Sequence, residues 1–142
     1  MEFKGDITDH RVIRRVEQQP LSWRVWQPVI IQGLKKSHLI VAFGAMTAGK
    51  KDMGDILATV SSTDGDTWEE PVMVFDHTVR QGTIQYAYGN PVLYRAPGQD
   101  VILCYAMRCP IAQKNSEESK LVGAFTADGG RTWTRLAGNT SS

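Results

Sequence analysis

The stretch 80–90 holds Tyr86, Tyr88 and Asn90, residue types that stack on a sugar ring and hydrogen-bond its hydroxyls. They suit a chain connection packed against its neighbour equally well. Arg108 is a second candidate: its guanidinium fits an anionic substituent, or an ion pair with Glu117 or Glu118 in the long polar loop that follows. Cys104 and Cys109 are too few for a disulfide framework, and with His10, His38 and His77 they form no metal-like cluster. Cys104 reads as a small buried apolar residue, and a local bridge to Cys109 requires an extracellular setting. No motif implies a metal or an organic cofactor.

The elements that must position these side chains belong to a chain of 142 residues, the size of one ordinary domain. Sixteen Lys and Arg against fifteen Asp and Glu leave a formal net charge of +1. That balance is spread along the chain, which argues against nucleic acid as a partner, because such binders cluster their cations. The longest apolar runs, 39–46 and 101–107, are too short to cross a bilayer. The first residues show no basic segment leading into an apolar one, so a cytoplasmic location is the default expectation. Asn139-Thr140-Ser141 fits a glycosylation sequon but reads as a polar tail.

Val, Ile and Thr together make up 32 of the 142 residues, and no window carries a sustained apolar stripe at helical spacing. Apolar runs of strand length fall at 28–32, 38–43, 55–61, 71–75, 91–94, 101–106 and 120–126. Glycines stand in the breaks between them, as tight turns require. The expectation is an all-β protein of short antiparallel strands.

Two landmarks recur at nearly one period. Trp26-Gln27-Pro28-Val29-Ile30 is echoed by Gly89-Asn90-Pro91-Val92-Leu93, and each precedes a polar turn and a strongly apolar strand. Ser62-Thr63-Asp64-Gly65-Asp66-Thr67-Trp68 is echoed by Thr126-Ala127-Asp128-Gly129-Gly130-Arg131-Thr132-Trp133. A unit of this length holding four short strands has the shape of a propeller blade. The second of these segments resembles the Asp box, or BNR repeat, of the sialidase superfamily, with the pattern Ser/Thr-x-Asp-x-Gly-x-Thr-Trp. Residues 62–68 resemble the same box shortened by one residue.

The resemblance implies β-propeller blades of four antiparallel strands, six-bladed when complete. Blade 1 spans 26–80 with its box at 62–68, and blade 2 spans 81–142 with its box at 126–133. Residues 1–25 form a leader that could supply an outer strand to an adjacent blade. The boxes are structural, so Ser62, Asp64, Gly65, Thr67, Trp68, Thr126, Asp128, Gly130, Thr132 and Trp133 pin hairpins on the face away from an active site. Two blades would leave apolar faces and strand edges in water, so the ring needs further blades from a longer chain or three copies closing head to tail.

The same resemblance places an acid/base Asp on the loop after a blade's second strand, here 44–55, which makes Asp52 or Asp55 the candidate proton donor to a glycosidic oxygen. Such a donor needs a raised pKa. The alternative leaves Asp52 solvated beside Lys50 and Lys51 and Asp55 capping the third strand. Sialidases carry an Arg-Ile-Pro motif entering the first blade, where this chain reads Trp26-Gln27-Pro28. Gln27 can bond a hydroxyl but cannot neutralise a carboxylate, and Arg24 lies out of phase on a strand. Two functions follow. One is a sialidase-like hydrolase acting on a terminal sugar, with Gln27, Tyr86, Tyr88, Asn90 and Arg108 around the glycan. The other is a non-catalytic propeller that binds glycan or protein, or a truncated relic.

Overall fold

The computed structural model describes residues 25–50, 52–112 and 119–136. The leader 1–24, Lys51, the acidic pair Glu117 and Glu118, and the sequon at Asn139 lie outside these residues. The fold is all-β: β1 (Val25–Gln32), β2 (Leu39–Lys50), β3 (Met53–Ser61), β4 (Val72–Phe75), β5 (Arg80–Gln81), β6 (Ile84–Arg95), β7 (Ile102–Pro110), β8 (Lys120–Thr126) and β9 (Thr134–Arg135). Among the described residues no helix forms, and none long and apolar enough to cross a membrane is present.

All pairings are antiparallel. Strands β1 to β4 form one four-stranded meander and β6 to β9 a second, and a single bridge between Gly54 and Tyr88 joins them. Two stretches read as loops are strand instead. Residues 44–50 continue β2 and turn at once into β3, so Asp55 is a strand residue opposite Ala45. Residues 84–90 are the first half of β6. Small and apolar residues along 44–48, and the buried run of Ala87, Tyr88 and Gly89 in β6, supply the packing that extends both strands.

The repeat is visible in the registers. Ile31 pairs with Ile40 as Tyr94 pairs with Leu103, and Ala42 pairs with Ala58 as Tyr105 pairs with Gly123. Both first strands carry a bulge just before a proline, at Gln27 (φ 47°) and Asn90 (φ 54°). The left-handed backbone there inserts the extra residue and bends the strand.

The core lies between the meanders. Ala42, Ile56, Ala58, Val74 and Phe75 of the first meet Tyr88, Cys104, Ala106, Val122 and Ala124 of the second. A separate cluster of Val41, Phe43, Ala45 and Leu57, with Trp68 against it, occupies the opposite face of the first meander. β2 and β3 are therefore apolar on both faces, which is why their sequences run apolar without alternation. β7 does alternate: Ile102, Cys104, Ala106 and Arg108 point inward, whereas Met107 is exposed and Leu103 and Tyr105 are half-buried.

The turn at Thr126 has the bonds the box pattern calls for. Thr126 Oγ1 accepts from Gly130 N (2.9 Å), Asp128 Oδ1 accepts from Thr132 N (3.0 Å), the Thr132 hydroxyl donates to Asp128, and Trp133 Nε1 donates to Gly130 O (3.1 Å). The first turn repeats these bonds one residue earlier than its sequence suggested. Ser61 Oγ accepts from Gly65 N (2.8 Å), Thr63 Oγ1 accepts from Thr67 N (2.9 Å), and Trp68 Nε1 donates to Gly65 O (3.1 Å). The first box is thus full-length and starts at Ser61. Thr63 fills the Asp position, and Asp64 takes the left-handed position held by Gly129 in the second box. Ser62 and Asp64 do not play the parts read for them, because hydrogen bonding follows loop geometry rather than the nearest Asp-Gly pair. Arg131 and Glu69 tie the two boxes through a half-exposed bidentate ion pair, with Nη2 3.1 Å from Oε2.

Candidate functional site

The ends of β6, β7 and β8 and the β5–β6 hairpin enclose a cavity of about 470 Å³, at the ends of the strands opposite the box turns. Its walls include Arg80, Ile84, Tyr86, Arg108, Ile111 and Lys120, and none of its described lining residues is acidic. Arg108 arrives by the alternation of β7: it continues the inward row of Ile102, Cys104 and Ala106 to the cavity end of the strand. Lys120 is its cross-strand neighbour on β8.

Arg108 is 2% exposed. Its guanidinium lies over the Tyr86 ring, 4.2 Å from the centroid, and Nη1 donates to Gln81 Oε1 at 2.7 Å. Nε is buried without a hydrogen-bond partner. A charged group held this way keeps a strong demand for an acceptor. Among the described residues no carboxylate answers it. Of the sequence candidates, Tyr86 and Arg108 meet at this cavity.

Asp55 lies elsewhere and is 3% exposed. Its Oδ2 accepts from Thr47 Oγ1 (2.6 Å), and its Oδ1 accepts from His77 N (2.7 Å) and lies 2.7 Å from His77 Nδ1. This carboxylate anchors the chain after β4 to the β2–β3 hairpin. Both of its oxygens are engaged and its side chain is buried. His77 and Thr47 were missed as its partners, because nothing in their spacing links positions so far apart in the chain. Asp55, Asp76 and His77 each place one potential metal-ligand atom within 4.8 Å of the others. Asp55 and His77 already bond each other, and Asp76 Oδ1 accepts from Thr78 N and Oγ1.

Asp52 occupies the tip of the β2–β3 hairpin in a left-handed conformation (φ 59°), and its N–H contacts Met46 Sδ at 3.2 Å. It borders a crevice shared with Gln27, Met53 and Tyr88 that is too tight to admit a ligand. Gln27 Oε1 accepts from Asn90 N at 3.0 Å, so these two bulges clasp each other, and Asn90 Nδ2 faces Met107 Sδ. Tyr88 corrects the reading that put it against a sugar. It is 1% exposed, stacks on Phe75 at 5.2 Å between centroids, and its hydroxyl bonds Arg135. Tyr88 lies between buried Ala87 and buried Gly89, so no alternation in the sequence marked it as a core residue.

The family model of the BNR repeat-like domain matches residues 36–140, and the chain belongs to that family. No curated protein and no solved structure matches it.

Proposed function

We propose that this chain is a glycan-binding unit of an Asp-box β-propeller, with its ligand seated in the cavity at Arg108 and Tyr86. The observation that carries the reading is a buried guanidinium, stacked on an aromatic ring and lacking an acceptor for Nε, in the wall of a cavity large enough for a sugar. An aromatic face with a fixed polar donor beside it is the chemistry by which proteins hold sugars. The two meanders are two blades of the propeller. The ring is completed by further blades or by three copies joined head to tail, a reading supported by the apolar outer face of the second meander.

Binding rather than hydrolysis is favoured because Asp55 is closed off and no described wall of the cavity carries a carboxyl group. One observation supports the hydrolase alternative. Asp52 sits on the hairpin tip beside Gly54, which bridges to Tyr88, itself paired with Arg108, so Asp52 stands at the cavity's end of the sheet. Titration calorimetry against a panel of monosaccharides, with parallel assays on aryl glycosides, separates the two. Saturable binding without turnover is the expected result. Turnover that disappears in Asp52→Asn while binding persists establishes the hydrolase instead.

A further inference from the structure

Resting on that glycan reading, we infer that the sugar taken by the Arg108 cavity carries a phosphate monoester. Arg108 is held from two sides: Tyr86 covers one face of the guanidinium and Gln81 occupies Nη1. What remains is the edge formed by Nε, buried and unpartnered, and Nη2, which has no hydrogen-bond partner among the described residues. That edge is the fork by which arginine grips two oxygens of one oxyanion. Lys120 stands directly across the β7–β8 ladder, and Arg80 lines the cavity from the β5–β6 hairpin.

Three cations without a described acid in the wall exceed what a single carboxylate matches. A carboxylate puts one charge and two oxygens against the fork. A phosphate monoester carries close to two charges at neutral pH and a third terminal oxygen for Lys120 or Arg80. Tyr86 and Ile84 then border the sugar ring to which the ester is attached.

The probes are galactose 6-phosphate, galactose 6-sulfate, galacturonate, galactose and inorganic phosphate, titrated into the full chain by calorimetry. Galactose 6-phosphate is expected to bind roughly tenfold or more tighter than each of the others. Arg108→Lys keeps the charge and loses the fork, and should weaken that binding by about tenfold. Because Arg108 is buried, Arg80→Gln and Lys120→Gln serve as independent variants. Each should weaken galactose 6-phosphate selectively, with unchanged melting temperature. Equal affinity for galactose 6-sulfate or galacturonate overturns the phosphate assignment, as does inorganic phosphate binding as tightly as the ester. Galactose binding as well as its ester overturns the inference and leaves the glycan reading intact. Absence of binding by every probe overturns both.

Discussion

Asp128 receives hydrogen bonds from the Thr126 hydroxyl, from the backbone of Arg131 and from both the backbone and hydroxyl of Thr132. Burial pushes its carboxyl up, but the bonds from Thr132, Thr126 and Arg131 outweigh that and hold it at about 2, below the ordinary 3.8. A group depressed in the folded state adds stability above its unfolded pKa and loses it as pH falls through the folded value. The window therefore lies between about pH 4 and pH 2. Asp128→Asn should flatten the fall in the free energy of urea unfolding across that window, by less than about 1 kcal/mol since the loop is exposed. Thr63 stands where Asp128 stands in the second box. Thr63→Asp should therefore stabilise the protein by about 0.5–1 kcal/mol in urea unfolding at pH 7, and by much less at pH 2. Cys104 is fully buried, and burial pushes its thiol up to about 12, which explains why it behaves as a packing residue.

At the scale of elements, the joint between the meanders depends on Gly54. A Cβ at this position would run into Ala45 O and the backbone of Thr47, and Gly54 also supplies the single bridge to Tyr88. No side-chain rotation relieves a clash with backbone. Gly54→Ala should cost more than about 3 kcal/mol and separate the β2–β3 tip from β6, seen as a large drop in melting temperature. The Asp55–His77–Thr47 cluster stabilises the same hairpin from its other face. The strand runs 120–126 and 71–75 were legible in the sequence almost to the residue, because each is short, apolar and bounded by turn residues. The long extensions of β2 and β6 were not, since 44–55 read as a loop and 80–90 as a blade connection, whereas Gly44 pairs with Ile56 and Gly89 with Met107.

At the scale of the whole molecule, the second meander has one apolar face without a neighbour among the described residues. Leu121 is 65% exposed, Val92 55% and Tyr94 51%, and Leu103, Tyr105 and Phe125 lie on the same side. By register these positions correspond to Ile40, Ala42, Ile56 and Val60 of the first meander, which are buried against or beside the second. A face of this kind favours continuation of the stack. Light scattering across a concentration series should give a mass of three times 15.8 kDa if three copies close the ring. Leu121→Lys should then return the chain to monomer.

What the sequence determined by itself was the family and the β architecture. Repeated landmarks and box residues depend on local turn chemistry, which is written in neighbouring positions. The box at Thr126 was legible for that reason. What only the tertiary structure decided was which side chains face which space. Tyr86 and Tyr88 are two residues apart, yet one borders the cavity beneath Arg108 and the other stacks on Phe75 in the core. Asp55 and His77 meet across a strand and a loop, and Ser61 rather than Ser62 opens the first box, because hydrogen bonds choose partners by distance in space. Long-range pairing leaves no trace in residue spacing, and the candidate site is made almost entirely of it.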